Sequence, residues 1–349
     1  IIGTGRAGIT HLEAVAKYTE NTELVAITGG PIEFYERAKS LAEKYHIDCE
    51  RSFEDLIGRK DIDAVLIDTP NYTHCDLTLQ AAEAGKHVFV EIPMATTLEE
   101  CDKMINTCRK AGVKLMVGHH QRFRKGNLLA KKLIDEGKIG KVFMMRETMV
   151  SDSMGIMPDW LKYPPDPTNL GILVGPGTHC IDRVNWFIDG WGKVDRVCAS
   201  CGTFREKVPI EASSMVLVKY KHGVTVSFWI SFEGTPPNFP HSGYTCQVMG
   251  TEGLLDVDPF NKLMLGIGNE WKTVYVQPPI DTNIDSEGFL HRNRIQAYAD
   301  CVQDFVNSIV EDREPSIGAT GEQDKYNIAI ALAAYKSSRS GEAVKVPIH

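Results

Sequence analysis

The sequence predicts an α/β chain in two parts: a doubly wound parallel sheet over residues 1–120, and an α+β domain with a mostly antiparallel sheet over residues 121–349. Three observations carry this. Short, β-branched, nearly continuous apolar runs alternate with amphipathic stretches through the first third, as strands buried on both faces and their crossover helices should. A Gly3-x-Gly5-x-x-Gly8 turn follows the first run and opens the first helical stretch. Beyond Arg122 the runs alternate in polarity and are separated by turn residues, which is the antiparallel pattern.

The first strands are expected at Ile1-Ile2, Leu24–Ile27, Ala64–Ile67, His87–Val90 and Lys114–Val117, with helices at His11–Tyr18, Glu33–Lys44, Asp76–Ala84 and Thr97–Ala111. Gly85 and Gly112 stand where helix stop residues belong. Lys125–Glu136 reads as one more amphipathic helix, closed by Gly137. The second sheet is expected from Val142–Met149, Val194–Ser200, Ser213–Lys219, Thr225–Phe232, Thr245–Met249 and Lys272–Val276, with turns at Lys221–Gly223 and Gly250–Gly253. Met154–Asn169, rich in proline and aromatics, reads as an irregular lid or substrate loop. Asn293–Glu311 and Gly321–Ser338 are closing helices, the second placed to pack back on the first domain.

Composition sets bounds. At 349 residues the chain is comfortable as two domains, and 43% hydrophobic with 24% charged residues is globular. A net charge of −8 argues against a general binder of nucleic acid. No apolar run approaches the ~20 residues of a membrane helix. The chain starts inside an apolar run with no signal-peptide pattern, so its start is expected a few residues upstream. Nine scattered cysteines point to reduced thiols in a cytoplasm. Cys198-Ala-Ser-Cys201 has CxxC spacing without a second pair and reads as two strand thiols pointing apart; no cluster has metal-site spacing.

The strand–turn–helix setting makes the glycine turn a dinucleotide site. Gly3, Gly5 and Gly8 allow a tight turn and close approach to a pyrophosphate, and Arg6 and Ala7 open a helix whose free N–H groups and dipole face the phosphates. An acid is expected at the end of the second strand for the ribose hydroxyl. None stands at Thr28-Gly29-Gly30-Pro31; Glu33 is late, and no arginine precedes Arg37. Thr28 can donate to either cofactor form, so NAD is favoured for lack of positive charge and NADP stays open. Thr69, Pro70 and Asn71 form the turn after the third long strand, on the cofactor side of such a sheet. His74 either faces the cofactor or caps the next helix. Glu91 and Pro93 are expected at the cofactor too, in the turn that ends the next strand.

Four pieces in this order, "GTGRAG", "TPNYTH", "AGKHVFVEIPMATT" and "GPGTHCID", resemble the Gfo/Idh/MocA family, and "MGTEGLLDVD" and "AYKSSRSGEAVKVP" extend the resemblance to the end of the chain. The resemblance implies a Rossmann domain, a second domain with a large open sheet that often forms a dimer interface, a nicotinamide cofactor, and a sugar, glycoside, inositol or related polyol as substrate. It implies hydride transfer between a carbinol carbon and the nicotinamide. A lysine in a Glu-Lys-Pro turn usually assists there, and a histidine acts as base, often with an aspartate four residues before it. Glu91-Ile92-Pro93 matches the turn without the lysine, His179 matches the histidine with Asp182 after it, and Gly175 stands where the aspartate is expected. The family's proline is usually preceded by a cis peptide bond.

Alcohol oxidation needs a base for the O–H proton and positive charge near the developing alkoxide. His179 suits the first role: its unperturbed pKa lies near neutrality, and a place near the start of a helix over Gly177–Phe187 favours the neutral ring. The alternative is a core or capping histidine. Ile92 supplies neither charge nor proton and is left to line the substrate. His119 and His120, just past a strand end, or Lys162 could take over its work. Alternatively the substrate is an activated ketone that needs less help, or the protein binds cofactor and ligand as a sensor without turnover; an oxidoreductase of this kind could also keep its cofactor bound and recycle it between two sugar-like substrates. Arg122 is a substrate ligand or a structural ion-pair residue, and Trp160 and Tyr163 stack on a sugar or anchor their loop. His241 is a loop histidine with no assigned role.

Overall fold

A computed structural model describes the chain apart from residues 30–33, 167–169, 238, 240–242, 282, 284–285 and 347–349. Glu33, His241 and the side chain of Trp160 lie outside the described residues. The chain forms two compact units, one of Ile1–Phe123 with Ile280–Lys325, the other of Arg124–Pro279 with Tyr326–His349.

The first unit is built as α1 (Arg6–Tyr18), β1 (Ala26–Ile27), α2 (Tyr35–Tyr45), β2 (Asp48–Cys49), α3 (Phe53–Ile57), β3 (Ala64–Ile67), α4 (His74–Glu83), β4 (His87–Val90), α5 (Leu98–Ala111) and β5 (Leu115–Val117). Ile2 bridges in parallel to both Thr28 and Ile67, which joins the β1–β2 pair to the β3–β4–β5 ladder. The strand order is therefore that of a doubly wound sheet, reversing beside the first strand. Its central strands are short and largely apolar because helices cover both faces: Ile27, Val65, Ile67, Phe89, Val90 and Met116 are all buried. The loop leaving the β4 end is pinned by the α5 capping box, in which Thr97 accepts from the Glu100 amide and Glu100 accepts from the Thr97 amide.

The second unit contains α6 (Lys125–Asp135), β6 (Val142–Val150), α7 (Asp159–Lys162), α8 (Thr178–Ile188), β7 (Val194–Gly202), β8 (Ser213–Tyr220), β9 (Thr225–Ser231), β10 (Tyr244–Gly250), β11 (Leu254–Val257), β12 (Lys262–Ile267) and β13 (Glu270–Val276). Its eight strands run in the order β13-β12-β11-β10-β6-β9-β8-β7, with β6–β9 the one parallel pair. Alternation divides the faces: in β8, Val216, Val218 and Tyr220 are buried while Met215 and Leu217 are exposed. Cys198 and Cys201, three apart on β7, point to opposite faces, and all nine cysteines are free.

The chain then returns. α9 (Arg292–Val310) and β14 (Ala319–Thr320) belong to the first unit, where β14 pairs antiparallel with β5. Cys301, Val302 and Phe305 of α9 share one core with Leu12, Ile27, Phe89 and Met116. The last helix, α10 (Gly321–Ser340), is divided: its first turn belongs to the first unit and its remainder to the second. The sequence boundary at 120/121 thus holds only on the first pass, and residues 280–325 are corrected to the first unit. The expected lid loop contains a short 3₁₀ turn at Met154–Ile156 and α7.

Candidate active site

The glycine turn has the geometry of an anion cradle. Gly3 sits at φ +113°, and its amide donates to Thr28 O at 2.9 Å. A Cβ at Gly3 would lie 2.4 Å from Asp68 O, and one at Gly8 only 2.2 Å from Gly3 O. At Gly5 nothing lies within 4 Å of that position. Two glycines are therefore required by the protein's own packing, and the third keeps open the space in front of α1. Gly5 caps α1 without a side-chain hydrogen bond, and no acid stands in the first turn, which begins with Arg6 and Ala7. The first-turn amides and the positive dipole end are left for an anion such as a pyrophosphate.

The carboxyl ends of β3 and β4 carry the other expected cofactor residues. Thr69 Oγ1 is 2.7 Å from Thr73 Oγ1. Asn71 is buried, and its Oδ1 has no hydrogen-bond partner among the described residues. His74, expected to touch the cofactor, is instead a tie between two turns: Nε2 lies 2.9 Å from Thr69 O and Nδ1 3.0 Å from Pro93 O. Burial lowers its pKa, so the ring is held neutral. Thr28 is likewise fully buried. Ile92–Pro93 is cis, and Ile92 is half-buried at the turn.

Below that turn lies a cluster that spacing along the chain did not reveal. His11, Asp68 and Glu91 bring their polar atoms within 4.8 Å of one another. His11 Nδ1 is 2.8 Å from Asp68 Oδ1, and His11 Nε2 is 3.6 Å from Glu91 Oε1. Glu91 Oε2 accepts from the Ile92 amide at 3.0 Å. Burial raises the Glu91 carboxyl to about 7. Burial opposes charge on His11 as well, but Asp68, by charge and hydrogen bond, outweighs it and raises the imidazole. The available signals were a histidine one turn beyond Gly8 and an acid directly after the Ala64–Ile67 run.

The candidates to replace lysine are committed elsewhere. His119 is fully buried with Nε2 2.7 Å from Asp324 Oδ1. His120 stacks on Tyr298 with ring centroids 3.8 Å apart. Arg122, 2% exposed, donates to Ile317 O at 2.8 Å and to Gln323 Oε1 at 3.0 Å, contacts that suit the structural one of its two readings. Lys162 pairs with Asp159 at 3.0 Å.

In the second unit His179 is the second residue of α8, half-buried, one position from the N-terminus the sequence indicated. Asp182 lies one turn on, 1% exposed, accepting from Asn327 Nδ2 at 2.9 Å. Arg183 and Glu147 form a fully buried ion pair that fixes α8 to β6, with the guanidinium also 4.5 Å from the Tyr244 ring centre. Tyr163 is exposed.

A family model described as "Oxidoreductase family, NAD-binding Rossmann fold" matches residues 1–119, and one described as "GFO/IDH/MocA C-terminal domain" matches residues 127–256. The chain belongs to the Gfo/Idh/MocA family. Among Gfo/Idh/MocA relatives, the 1,5-anhydro-D-fructose reductase of Ensifer adhaerens is 29% identical, over 84% of this chain and 83% of that protein. The inositol 2-dehydrogenase/D-chiro-inositol 3-dehydrogenase of Halalkalibacterium halodurans is 28% identical, over 98% and 91%. A solved levoglucosan dehydrogenase, in complex with NADH and levoglucosan, shares the fold with a TM-score of 0.80 at 23% identity, over 99% of this chain and 98% of that one. This Gfo/Idh/MocA chain is an NAD(P)-dependent oxidoreductase acting on CH–OH groups, of a family that takes sugars and polyols, and its first domain is an NAD-binding Rossmann domain. No helix among the described residues is long and apolar enough to cross a membrane.

Gly175, where the family pattern expects an aspartate, has a local reason to be glycine. A Cβ there would lie 2.9 Å from Gly171 O, so the turn before α8 leaves no room for a side chain without moving.

Proposed function

We propose that this enzyme transfers hydride between the nicotinamide of NAD and a carbinol carbon of a sugar, glycoside or polyol, with His179 as general base. The observation that carries the reading is the placement of His179: half-buried in the first turn of a helix anchored by the buried Arg183–Glu147 pair. A helix N-terminus disfavours imidazolium, so the neutral ring is ready to take the hydroxyl proton as hydride leaves carbon. When bound, NAD supplies the hydride acceptor; the glycine turn holds its pyrophosphate, with Asn71 and the Glu91–Pro93 turn on the nicotinamide side. Because Ile92 carries no charge and His119, His120, Arg122 and Lys162 are engaged elsewhere, the favoured substrate is one whose carbonyl form is already activated.

Six apolar side chains, Met144, Met215, Leu217, Trp229, Met249 and Leu254, are exposed on one face of the sheet, joined through the registers Met144–Met249–Leu254 and Met215–Trp229. Such a patch on a broad sheet supports homo-oligomerisation through it. Nine free thiols support a cytoplasmic setting. The test is nicotinamide reduction or oxidation by purified protein with a panel of inositols, glycosides and anhydro-sugars. Turnover that His179→Ala abolishes supports the reading. Equal turnover by both proteins overturns the base assignment, and binding without turnover across the panel favours a sensor.

A further inference from the structure

The His11–Asp68–Glu91 cluster sits under the turn that carries Ile92, and the hydride chemistry makes no use of it. Its three members come from α1, the end of β3 and the end of β4. Each keeps a buried polar atom with no hydrogen-bond partner among the described residues: His11 Nε2, Asp68 Oδ2 and Glu91 Oε1, the first and last facing each other at 3.6 Å. Glu91 is split in function. Oε2 is fixed to the Ile92 amide, while Oε1 is aimed into the cluster, in space that exists because residue 118 is glycine: a Cβ at Gly118 would stand 2.9 Å from Oε1. A carboxyl held this way can gain or lose a proton without leaving its place.

Charges surround it from every packed element. His119 at the end of β5 faces Glu91 and is paired with Asp324 of α10. Arg294 of α9 faces His11, and Tyr298 of α9 lies with its ring centroid 5.7 Å from the His11 ring. This background is common to both states of Glu91, so its ionisation changes the local charge by one unit at the carboxyl end of a central strand, where a doubly wound sheet receives its cofactor. The two cofactor forms differ there by one unit too: the nicotinamide ring is cationic when oxidised and neutral when reduced.

We propose that Glu91, positioned by His11 and Asp68, sets the preference of this site for oxidised over reduced NAD: ionised, it favours the cationic ring, and protonated, it discriminates little between the two forms. Binding of NAD⁺ then releases a proton from Glu91 to solvent, and binding of NADH does not. The inference rests on the proposed placement of the nicotinamide at the Glu91–Pro93 turn. Burial brings the carboxyl near neutrality, so the preference changes within the physiological range.

The experiment is titration of the intact protein with NAD⁺ and with NADH from about pH 6 to about pH 8.5, alongside calorimetry of NAD⁺ binding in buffers of different ionisation enthalpy. The expected result is a Kd for NAD⁺ that falls about three- to tenfold across the range while that for NADH changes less than about twofold. Proton release on NAD⁺ binding is expected, and Glu91→Gln should lose most of the pH dependence, leaving only that of His11, with the NAD⁺/NADH ratio staying near its low-pH value. Parallel pH dependence of the two cofactors, or no proton release by the wild type, overturns the proposal; the calorimetry decides even if Glu91→Gln does not fold. Tightly held metal in the purified protein, removed only together with the pH effect, overturns it as well. Failure of both cofactors to bind overturns the cofactor placement itself, whereas tight pH-independent binding overturns only the role of Glu91.

Discussion

Gly8 packs so closely on Gly3 that a Cβ at residue 8 would come within 2.2 Å of the Gly3 carbonyl oxygen, whereas a Cβ at Gly5 would meet nothing within 4 Å. The two glycines therefore fail differently when replaced. Gly8→Ala should cost about 2 kcal/mol or more of stability and lose cofactor binding with it. Gly5→Ala should leave the thermal midpoint within a few degrees of wild type yet weaken NAD binding about tenfold or more, because the methyl occupies the pyrophosphate's space. Thermal melts beside cofactor titrations check both.

His179→Ala should lower kcat by about 10²- to 10⁴-fold with cofactor affinity nearly unchanged. The residue is half-buried and α8 is held by other contacts, so the fold should survive. Steady-state kinetics with a cofactor binding curve separates the two effects.

Ile92→Lys introduces the charge that the family pattern expects. It should raise turnover of unactivated polyols or leave it unchanged. A complete loss of NAD binding would instead show that the turn needs an apolar side chain there, and the view of Ile92 as a vacated catalytic position would fall.

Glu147→Gln leaves Arg183 charged in a site where both side chains are fully buried. A loss of about 3–5 kcal/mol is expected in denaturant unfolding. Replacing both residues with apolar ones of similar volume should recover much of that loss, which a double-mutant comparison reads directly.

His11 and Glu91 both hold protons more tightly in the native protein than in the unfolded chain: Asp68 raises the first against burial, and burial raises the second to about 7. The folded state binds more protons from the ordinary carboxylate range to beyond neutrality, so their contribution to stability falls as pH rises through that window. Without cofactor, the thermal midpoint should drop between about pH 6 and about pH 8.5, and the drop should be smaller in Glu91→Gln.

Much of the first unit was legible because its strands are continuous apolar runs. Ala64–Ile67 and His87–Val90 are the strands the runs indicated, residue for residue. The two-residue strands Asp48–Cys49 and Ala319–Thr320 carry no periodicity to read, and they exist because neighbouring strands offer edges to pair with. Leu254–Val257 and Lys262–Ile267 were missed for a related reason: four to six residues between tight turns do not establish alternation. The glycine turn was readable from spacing, since each glycine answers a local demand. The His11–Asp68 pair was not, because its partners stand 57 residues apart and meet only when the sheet winds around the first strand. The same holds for Arg122, whose partners Ile317 and Gln323 lie far along the chain.

The return of α9 to the first unit has a consequence for biosynthesis. Phe89 and Met116 share their core with Cys301 and Phe305, so the NAD-binding unit emerges from the ribosome lacking part of its interior until residues 280–325 have been translated. All strands of the second unit's sheet are translated by Val276, ahead of α9, while that unit's own last segment, Tyr326–His349, follows later still. A nascent chain arrested before α9 therefore exposes an unfinished dinucleotide fold to chaperones and proteases, and catalytic competence arrives only with the last fifth of the polypeptide.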